Sequence, residues 1–294
     1  MKKILITGAH SYIGTSLEKW LNQWTDQYKL DTMDMRDPTW RDNTFSEYDC
    51  VFHVAGIAHV DTHKASETTK ELYYKINRDL TIETARKAKD NGVKQFIFMS
   101  SIIVYGDGSH PLTHKKYISR DTVPNPTGFY GDSKLQGEQG ILTLQSEDFQ
   151  VVILRPPMIY GFGSKGNYPK LSKLACKIPI FPDVYNERSM LYIEHLCEFI
   201  RLMIDNKEGG IFFPQNDQYT CTSKMVKMIA NVHGKHMKLT KLLNPFIRFF
   251  PKAIMGKVFG TLAYDKSIST YKENYNIYSF EETIRLTEEN SKRM

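Results

Sequence analysis

A glycine turn between a short strand and a helix, close to the start of this 294-residue chain, places the strongest constraint on its fold. Lys3–Thr7 is an apolar run of strand length, and Gly8–Gly14 follows it as a turn that opens a helix predicted over Thr15–Thr25. Glycine permits the tight turn after a strand, and Gly14 permits the helix to pack closely on that strand. A strand, a glycine turn and a helix in this order begin a βαβ unit, from which parallel sheets are built.

Short apolar runs continue to alternate with polar helical stretches as far as residue 155. The further predicted strands are Tyr28–Asp34, Val51–Val54, Gln95–Met99 and Gln150–Arg155. The further predicted helices are Glu71–Asn91 and Tyr130–Gln145. Because crossovers between parallel strands are right-handed, this alternation predicts an α/β fold with a Rossmann-like, doubly wound parallel sheet.

The glycine turn has the features of a site for a dinucleotide pyrophosphate. Backbone N–H groups and the positive end of a helix dipole face the turn, and both attract phosphate oxygens. Asp34 stands 20 residues after Gly14, where its carboxylate can accept hydrogen bonds from ribose hydroxyls and repel a 2′-phosphate. Arg36 and His10 could instead reach a 2′-phosphate. The sequence therefore predicts NAD(P)H as the cofactor and leaves NAD and NADP open.

Three polar residues follow the later strands and point to catalysis. The strand Gln95–Met99 is followed by Ser100 and then by Ser101, and Tyr130 lies 29 residues after Ser101. Tyr130 and Lys134 are four residues apart and share one face of a helix, so the ammonium is expected to lower the pKa of the phenol. The predicted catalytic residues are Ser101, Tyr130 and Lys134. Ser101 would orient a substrate oxygen, Tyr130 would transfer a proton, and Lys134 would tune the pKa of Tyr130 for that transfer.

Other residues around these motifs complete the predicted cofactor site. Ala55 and Gly56 are small residues after the strand Val51–Val54, and they would let a dinucleotide lie across the sheet edge. His53, inside the same apolar run, is predicted to be a core residue. The predicted cofactor-binding residues are Gly8, His10, Ser11, Tyr12, Ile13, Gly14, Asp34, Arg36, Ala55, Gly56, Tyr130 and Lys134.

Composition narrows the class of protein. A hydrophobic content of 41% and a charged content of 24% are ordinary for a soluble globular protein. The four cysteines form no CxxC pair, which favours reduced thiols in the cytoplasm. The first apolar run is too short for a signal peptide or a membrane span. No metal site and no nucleic-acid-binding stripe are predicted.

The net charge is +6, and the basic residues are mostly dispersed along the chain. The exception is the stretch of residues 235–257, where basic side chains interleave with apolar ones. The basic residues of this stretch are Lys235, Lys238, Lys241, Arg248, Lys252 and Lys257. A basic amphipathic stretch can lie on a membrane surface. Pro245, Pro251, Gly256 and Gly260 interrupt a continuous helix, so the favoured interpretation is a set of helices that cover a substrate lobe, with their cations in water.

The ordered set of motifs resembles a known family. TGAHSYIG begins at Thr7, Asp34 follows, and FHVAG, FIFMSSIIVYG, YGDSK and LRPPMIYG come later in that order. The set is similar to the motifs of the extended short-chain dehydrogenase/reductase family, which contains nucleotide-sugar epimerases, dehydratases and 4-ketoreductases. The resemblance covers nearly the whole chain and implies that Lys134 also holds the nicotinamide ribose. Ser11 departs from the family's glycine triplet.

The same resemblance implies residues that bind the substrate. Asn167 stands in a GSKGNY segment that resembles the family loop whose Asn contacts a sugar diphosphate. Arg188 stands in an RSMLYI segment whose Arg binds the diphosphate or uridine in the family, with an exposed salt bridge as the alternative. Thr127 could bond to a sugar hydroxyl, and Ser101 to the reacting oxygen. The family places an Asn at the position of Asn77 to hold a backbone group of the catalytic strand, so Asn77 is expected to be structural support.

The alternation of strands and helices loosens after Arg155, which indicates a second region. Met190–Ile193 is predicted to be a short strand that returns to the main body. We assign residues 1–156 and 188–213 to the Rossmann-like dinucleotide-binding domain. We assign residues 157–187 and 214–294 to a smaller C-terminal lobe that binds the substrate.

The downstream motifs look closest to proteins of bacterial capsular and surface polysaccharide pathways, which act on UDP-linked N-acetylhexosamines. The predicted reaction is the NAD(P)H-dependent reduction of a UDP-4-keto-6-deoxy-N-acetylhexosamine at C4. The alternative is a UDP-hexose or UDP-N-acetylhexosamine 4-epimerase with tightly bound NAD, which would use the same three catalytic residues. A more remote alternative is a non-catalytic regulator that senses the dinucleotide.

Two further expectations follow from the family. A dehydratase is disfavoured, because Ile102 and Ile103 stand where dehydratases keep an Asp-Glu pair for elimination. A homodimer through the helices 71–91 and 130–145 is usual in the family and is expected for this chain. The expected partners are therefore a UDP-sugar and a second copy of the protein.

Overall fold

The structure is a computed structural model that describes residues 1–58, 66–106, 115–247, 249 and 251–292. The chain divides into two compact units. The first unit comprises Met1–Gly106, Val123–Pro156 and Leu196–Pro214. The second unit comprises Asp107–Thr122, Pro157–His195 and Gln215–Met294. The assignment of dinucleotide and substrate to separate regions stays a prediction.

The strands and helices are numbered in chain order. The strands are β1 Lys2–Thr7, β2 Tyr28–Met33, β3 Cys50–His53, β4 Gln95–Met99, β5 Lys115–Ile118, β6 Gln150–Leu154, β7 Met158–Tyr160, β8 Ile180–Pro182, β9 Met190–Tyr192, β10 Gly210–Phe212, β11 Lys238–Thr240 and β12 Thr261–Tyr264. The α-helices are α1 Tyr12–Leu21, α2 Glu67–Tyr74, α3 Thr81–Asp90, α4 Phe129–Leu142, α5 Asn167–Lys177, α6 Ile193–Asp205, α7 Thr222–Val232, α8 Asn244–Ile247, α9 Lys252–Phe259, α10 Lys266–Ser269 and α11 Phe280–Lys292.

A six-stranded sheet in the order β10-β6-β4-β3-β1-β2 forms the centre of the first unit. All of its neighbouring strands are parallel, which confirms the predicted α/β fold with a doubly wound sheet. β1 lies between β2 and β3, with Thr7 opposite both Met33 and His53. The winding therefore reverses at β1, and such folds bind ligands at the carboxyl ends of the strands beside this reversal.

The central strands are buried on both faces, which is why they read as continuous apolar runs in the sequence. His53 is fully buried among them and is satisfied by hydroxyls: Thr7 Oγ1 lies 2.7 Å from Nδ1 and Thr81 Oγ1 lies 3.2 Å from Nε2. Burial lowers the pKa of His53 to about 3. The prediction that His53 is a neutral core residue is confirmed.

The predicted long helix over 71–91 is interrupted. It begins at Glu67, where Ser66 Oγ accepts a hydrogen bond from Thr69 N, and its middle, Lys75–Leu80, is a π-helical turn. Asn77 lies in this turn and exchanges two hydrogen bonds with the backbone of Ile57, at 3.0 and 3.1 Å. Asn77 is structural support, as expected, but the backbone group that it holds follows β3 rather than the strand that leads to Ser101.

The described part of the second unit contains two-stranded parallel sheets, namely β11-β8, β12-β5 and β7-β9. β9 therefore pairs with β7, and the prediction that Met190–Ile193 returns to the main body is wrong. A run of three buried apolar residues does not specify its partner, and here Met158–Tyr160 supplies it. Within the described residues, no helix is both long and apolar enough to cross a membrane.

Candidate active site

The loop after β4 and the first turn of α4 bring Ser101 and Tyr130 together. Ser101 caps a short 3-10 turn, Ile102–Tyr105, by accepting a hydrogen bond from Ile103 N at 3.3 Å. Gly131 follows Tyr130, and a Cβ at Gly131 would stand 2.6 Å from the carbonyl oxygen of Ile103. The absence of a side chain at this position therefore lets the start of α4 approach the turn that carries Ser101.

The phenol of Tyr130 lies near enough to the Ser101 hydroxyl for that group to lower its pKa, and its ring packs edge-on against the ring of Tyr73, with centroids 5.8 Å apart. Burial raises the pKa of Tyr130 to about 12, and the nearby Ser101 hydroxyl only partly opposes this rise. The expected lowering of this pKa by Lys134 is therefore not observed. The loss of hydration outweighs any effect of the ammonium, so Tyr130 holds its proton at neutral pH.

Lys134 is buried beneath the carboxyl end of the sheet. Its Nζ donates to the carbonyl oxygen of Met99 at 2.9 Å and lies 4.7 Å from the ring centroid of Phe98. Burial lowers the pKa of Lys134 to about 8, and Glu138 opposes the shift. A Cβ at Gly56 would stand 3.0 Å from this Nζ, so glycine lets the loop after β3 reach the ammonium.

Glu138 and Arg155 support the catalytic helix, and the sequence predictions missed both. Arg155 Nη2 donates to Glu138 Oε2 at 2.5 Å, Arg155 Nη1 donates to the Tyr105 hydroxyl at 2.6 Å, and Ser100 Oγ donates to Glu138 Oε1. The two charged side chains are only 7% and 1% exposed. Burial opposes the charge of Arg155, but its bonds to Glu138 and Tyr105 raise its pKa overall. This network joins α4 to the ends of β4 and β6.

A signal for this contact is present in the sequence. Glu138 stands four residues after Lys134, so both lie on one face of α4. Arg155 closes a strand that is otherwise apolar, and a buried charge requires an opposite charge. The pairing of these particular residues needed the three-dimensional fold, because they lie on different elements.

The predicted cofactor turn has the close contacts that its glycines permit. Gly8 has a φ of +97°, and its Cβ would stand 2.8 Å from Ala55 N. The N–H groups of Gly8 and Ala9 donate to the carbonyl oxygen of Met33 at 2.9 and 3.1 Å. The turn therefore lies against the ends of both β2 and β3, and the start of α1 follows it with Tyr12 and Ile13.

Ser11, which departs from the family's glycine triplet, is the N-cap of α1. Its Oγ accepts a hydrogen bond from Gly14 N at 3.1 Å, and its φ of −72° needs no glycine. His10 precedes it with a φ of 67°, in the left-handed region. The earlier N–H groups at the start of a helix have no acceptor within the helix, so this end of α1 still suits a phosphate.

Asp34 and Arg36, the predicted cofactor discriminators, form a pair with each other. Both Nε and Nη2 of Arg36 donate to the carboxylate, with Nη2 2.6 Å from Oδ2. These bonds lower the pKa of Asp34 to about 2, so the carboxylate is ionised at neutral pH. An ionised acid and a largely exposed arginine thus lie side by side after β2. The acid suits the ribose hydroxyls of NAD, and the arginine suits the 2′-phosphate of NADP.

The predicted substrate residues fall in both units. Ser101 and Thr127 belong to the first unit, whereas Asn167 and Arg188 belong to the second. Thr127 is exposed just before α4, and Asn167 is exposed as the first residue of α5. The four residues are thus divided between two units, and their assignment to one substrate stays a prediction.

Arg188 is partly buried in the second unit. Its Nη1 donates to the carbonyl oxygens of Gly260 at 3.0 Å and Gly256 at 3.4 Å. None of the described carboxylates forms an ion pair with Arg188, so the alternative of an exposed salt bridge finds no support in the described part of the chain. Burial lowers the pKa of Arg188 to about 10, which leaves it charged at neutral pH.

Comparisons with known proteins agree with this geometry. The model of the NAD dependent epimerase/dehydratase family matches residues 4–213. A UDP-glucose 4-epimerase of Vibrio cholerae is 30% identical over 250 residues, which are 78% of this chain and 75% of the relative. An N-acetyl-alpha-D-glucosaminyl-diphospho-ditrans,octacis-undecaprenol 4-epimerase of Escherichia coli O157:H7 is 27% identical over 224 residues, which are 70% of this chain and 64% of the relative.

The fold has a close counterpart among solved structures. The crystal structure of a dTDP-4-dehydrorhamnose reductase from Clostridium acetobutylicum matches with a TM-score of 0.76 at 19% identity. The match covers 99% of this chain and all of that one, and at this identity it shows a shared fold. Since the family model spans most of the chain, the resemblance found in the motifs is confirmed. The chain is an enzyme of the NAD-dependent epimerase/dehydratase family, and its cofactor is a nicotinamide dinucleotide.

Proposed function

We propose that this enzyme is a nucleotide-sugar 4-epimerase that inverts C4 of a UDP-linked hexose or N-acetylhexosamine. The observation that carries the proposal is the proximity of Ser101 to the phenol of Tyr130, on the helix α4 that also holds Lys134. This arrangement can manage one proton at one sugar oxygen. Both sequence relatives described above are named as 4-epimerases, which favours C4 as the reacting carbon.

Each of the three residues has a distinct task. The Ser101 hydroxyl orients the C4 oxygen, and Tyr130 transfers the proton of that oxygen. Lys134 supplies a positive charge one helical turn from Tyr130 below about pH 8, and it offers donors for ribose hydroxyls. A bound nicotinamide dinucleotide would supply the hydride chemistry at the sugar C4 carbon. The protein's own residues position the sugar and move its proton.

The 3-10 turn after Ser101 argues against elimination at C6. Ile102 and Ile103 occupy it, and their side chains cannot donate or accept a proton. A dehydratase needs an acid and a base in addition to the residue that acts at C4. The chain therefore suits a reaction confined to the C4 oxygen.

A second candidate is the reduction of a UDP-4-keto-6-deoxy-N-acetylhexosamine, which the raised pKa of Tyr130 favours. Burial keeps Tyr130 protonated, as a residue that donates a proton to a C4 carbonyl must be. An epimerase needs the phenol to lose its proton first, and added cationic charge favours that loss. The two reactions therefore require different protonation states of Tyr130 before the proton transfer.

Arg188 indicates the class of substrate. A charged guanidinium without a carboxylate partner among the described residues suits a diphosphate, whose oxygens match its planar donors. We assign the diphosphate of a UDP-sugar to Arg188 and to the start of α5 at Asn167. A diphosphate also links sugar and lipid in the substrate named for the Escherichia coli relative, so lipid-linked sugar diphosphates belong in the test panel.

The proposal is tested with the purified protein and UDP-sugars. Conversion of UDP-N-acetylglucosamine or UDP-glucose to the C4 epimer, followed by NMR without net use of added NADH or NADPH, supports the epimerase. Consumption of NADH or NADPH with a UDP-4-keto-6-deoxy sugar, and no interconversion of the UDP-hexoses, assigns the reductase instead. Tyr130→Phe should abolish either reaction and retain dinucleotide binding. Dinucleotide binding without turnover of any sugar in the panel would indicate a non-catalytic regulator that senses the dinucleotide.

We also propose that the enzyme is a cytoplasmic homodimer that pairs through α2, α3 and α4. In each chain these helices lie together, with the Tyr74 hydroxyl bonded to Asp132 at 2.7 Å and Arg78 bonded to Gln136 at 3.0 Å. Light scattering should give twice the mass of 34.1 kDa. A monomeric mass at assay concentrations would contradict the dimer.

A further inference from the structure

One segment of the second unit carries the excess positive charge of the chain. Residues 218–264 contain seven lysines and one arginine, with no aspartate or glutamate. The chain has 39 basic and 33 acidic residues, which leaves 31 basic and 33 acidic residues outside this segment. At the average frequency in the chain, a segment of this length would hold about five acids. The basic segment, residues 218–264, is therefore cationic well beyond its surroundings.

The described lysines of the basic segment are mostly in water. Five of them are exposed: Lys224, Lys227, Lys235, Lys238 and Lys241. None of these five forms an ion pair with another residue that the structure describes. Their charge is therefore available to an anionic partner. Arg248 lies outside the described residues.

Three large apolar side chains project from the same segment. Leu242 is 83% exposed, Phe246 is 58% exposed and Phe249 is 73% exposed, and we call these three the apolar tip. The opposite side of α8 is fixed to the unit by buried Ile247 and by Asn244 Nδ2, which donates to the carbonyl oxygen of Asp183 at 2.9 Å. The tip is thus presented by an anchored turn.

We propose that the apolar tip and the exposed lysines of the basic segment dock on a membrane surface that contains anionic lipids. Apolar side chains enter the boundary between headgroups and acyl chains, while the neighbouring ammonium groups meet lipid phosphates. The contact is peripheral and reversible, because three side chains bury little area. The proposal depends on this surface and not on which sugar is the substrate.

Charge and shape distinguish a membrane from other occupants of the surface. A second copy of the chain would bring two sets of lysines together without any acid from the basic segment, which is repulsive. A nucleic acid would satisfy the lysines and could stack on Phe246 and Phe249, but it offers no apolar environment to Leu242, the most exposed of the three. A lipid surface satisfies both the cations and the apolar tip.

Vesicle sedimentation of the full-length protein tests the proposal. Wild-type protein should bind vesicles of phosphatidylcholine mixed with phosphatidylglycerol, bind pure phosphatidylcholine far less, and lose affinity as salt rises. Lys238→Gln with Lys241→Gln should weaken binding roughly fivefold for each lysine removed. Replacing Leu242, Phe246 and Phe249 together by Ser should weaken binding by about tenfold or more.

The control is Val123→Ser, which removes an apolar side chain that is 79% exposed in the first unit. It should leave vesicle binding unchanged, and all variants should keep their turnover of a UDP-sugar in solution. This separates a failure of the docking proposal from a failure of the proposed reaction. The docking proposal is overturned by equal binding to neutral and anionic vesicles, by a change of oligomeric mass in the apolar variant, or by tighter binding to duplex DNA than to vesicles.

Discussion

Arg155 in the first unit and Arg188 in the second are both withdrawn from solvent, but they have different partners. Arg155 is held by the Glu138 carboxylate and the Tyr105 hydroxyl, and these bonds raise its pKa. Arg188 donates to two backbone carbonyl oxygens, pairs with none of the described carboxylates, and has a pKa lowered to about 10. A buried cation is costly unless an anion accompanies it.

The difference separates a structural contact from a contact reserved for a ligand. The charge of Arg155 is already compensated, so this residue stabilises the support of α4. Among the described residues, the charge of Arg188 is compensated by carbonyl dipoles alone, so an incoming diphosphate would complete its environment. Substitutions at the two positions should therefore change different measured quantities.

The largest expected effect is on stability, at Glu138. Glu138→Leu leaves the Arg155 charge buried without its partner, and we expect the free energy of unfolding to fall by roughly 3–5 kcal/mol. Urea unfolding measures this loss. Glu138→Leu combined with Arg155→Met removes both charges and should recover most of it. A double variant as unstable as the single one would show that Arg155 is not a compensated structural contact.

The next effect is on substrate affinity, at Arg188. Arg188→Met should weaken UDP binding by roughly 10- to 100-fold, the contribution of charged hydrogen bonds to a phosphate, while leaving stability unchanged or raised. Isothermal titration with UDP and urea unfolding measure the two quantities. Arg201→Met is the matched control, since Arg201 is paired with Glu198 and Asp205 in the first unit. The distinction between the two arginines is contradicted if Arg188→Met lowers the free energy of unfolding while the protein retains its affinity for UDP.

A third effect concerns the pH dependence of dinucleotide binding. The Lys134 ammonium is present below its pKa of about 8 and is lost as the pH rises, so binding should weaken above that value. Glu138 opposes the lowering of this pKa, so Glu138→Gln should move the loss of binding to lower pH. A fluorescence titration of NADH at several pH values checks this.

The control for this pH dependence is Lys134→Arg. A guanidinium stays charged throughout this pH range, so the variant should show no loss of binding near pH 8. If Glu138→Gln leaves unchanged the pH at which NADH binding is lost, Glu138 has no electrostatic influence on Lys134. The Arg155–Glu138 pair would then act on stability alone.

The sequence predicts the central sheet well because its strands are buried on both faces. Gln95–Met99 has the predicted bounds, since an apolar run between polar residues defines a buried parallel strand. The predicted bounds of α1 are less accurate: it spans Tyr12–Leu21, not Thr15–Thr25, because Ser11 caps the helix and starts it inside the predicted glycine turn. The π turn within 71–91 has no periodic signal in the sequence.

The candidate site is predictable where its residues are close in sequence and less so where they are not. The spacing of Tyr130 and Lys134 indicates one helical face, but it cannot indicate the burial that raises the pKa of Tyr130. The contact of Arg155 with Glu138 joins a strand end to a helix, and it depends on how both elements pack. Properties that depend on burial, such as the pKa of Tyr130, therefore cannot be predicted from the spacing of residues in the sequence.

The smallest expected effect is at Ser11, where the same distinction applies within the cofactor turn. Its Oγ is already bonded to Gly14 N, so it is a structural contact like that of Arg155. Ser11→Ala should cost about 1 kcal/mol in the free energy of unfolding and Ser11→Gly only a few tenths, with NADH affinity little changed in both. Urea unfolding and NADH titration of the two variants give these values. A marked loss of NADH affinity in both variants at unchanged stability would instead assign the hydroxyl to the cofactor phosphate, and Ser11 would then resemble Arg188.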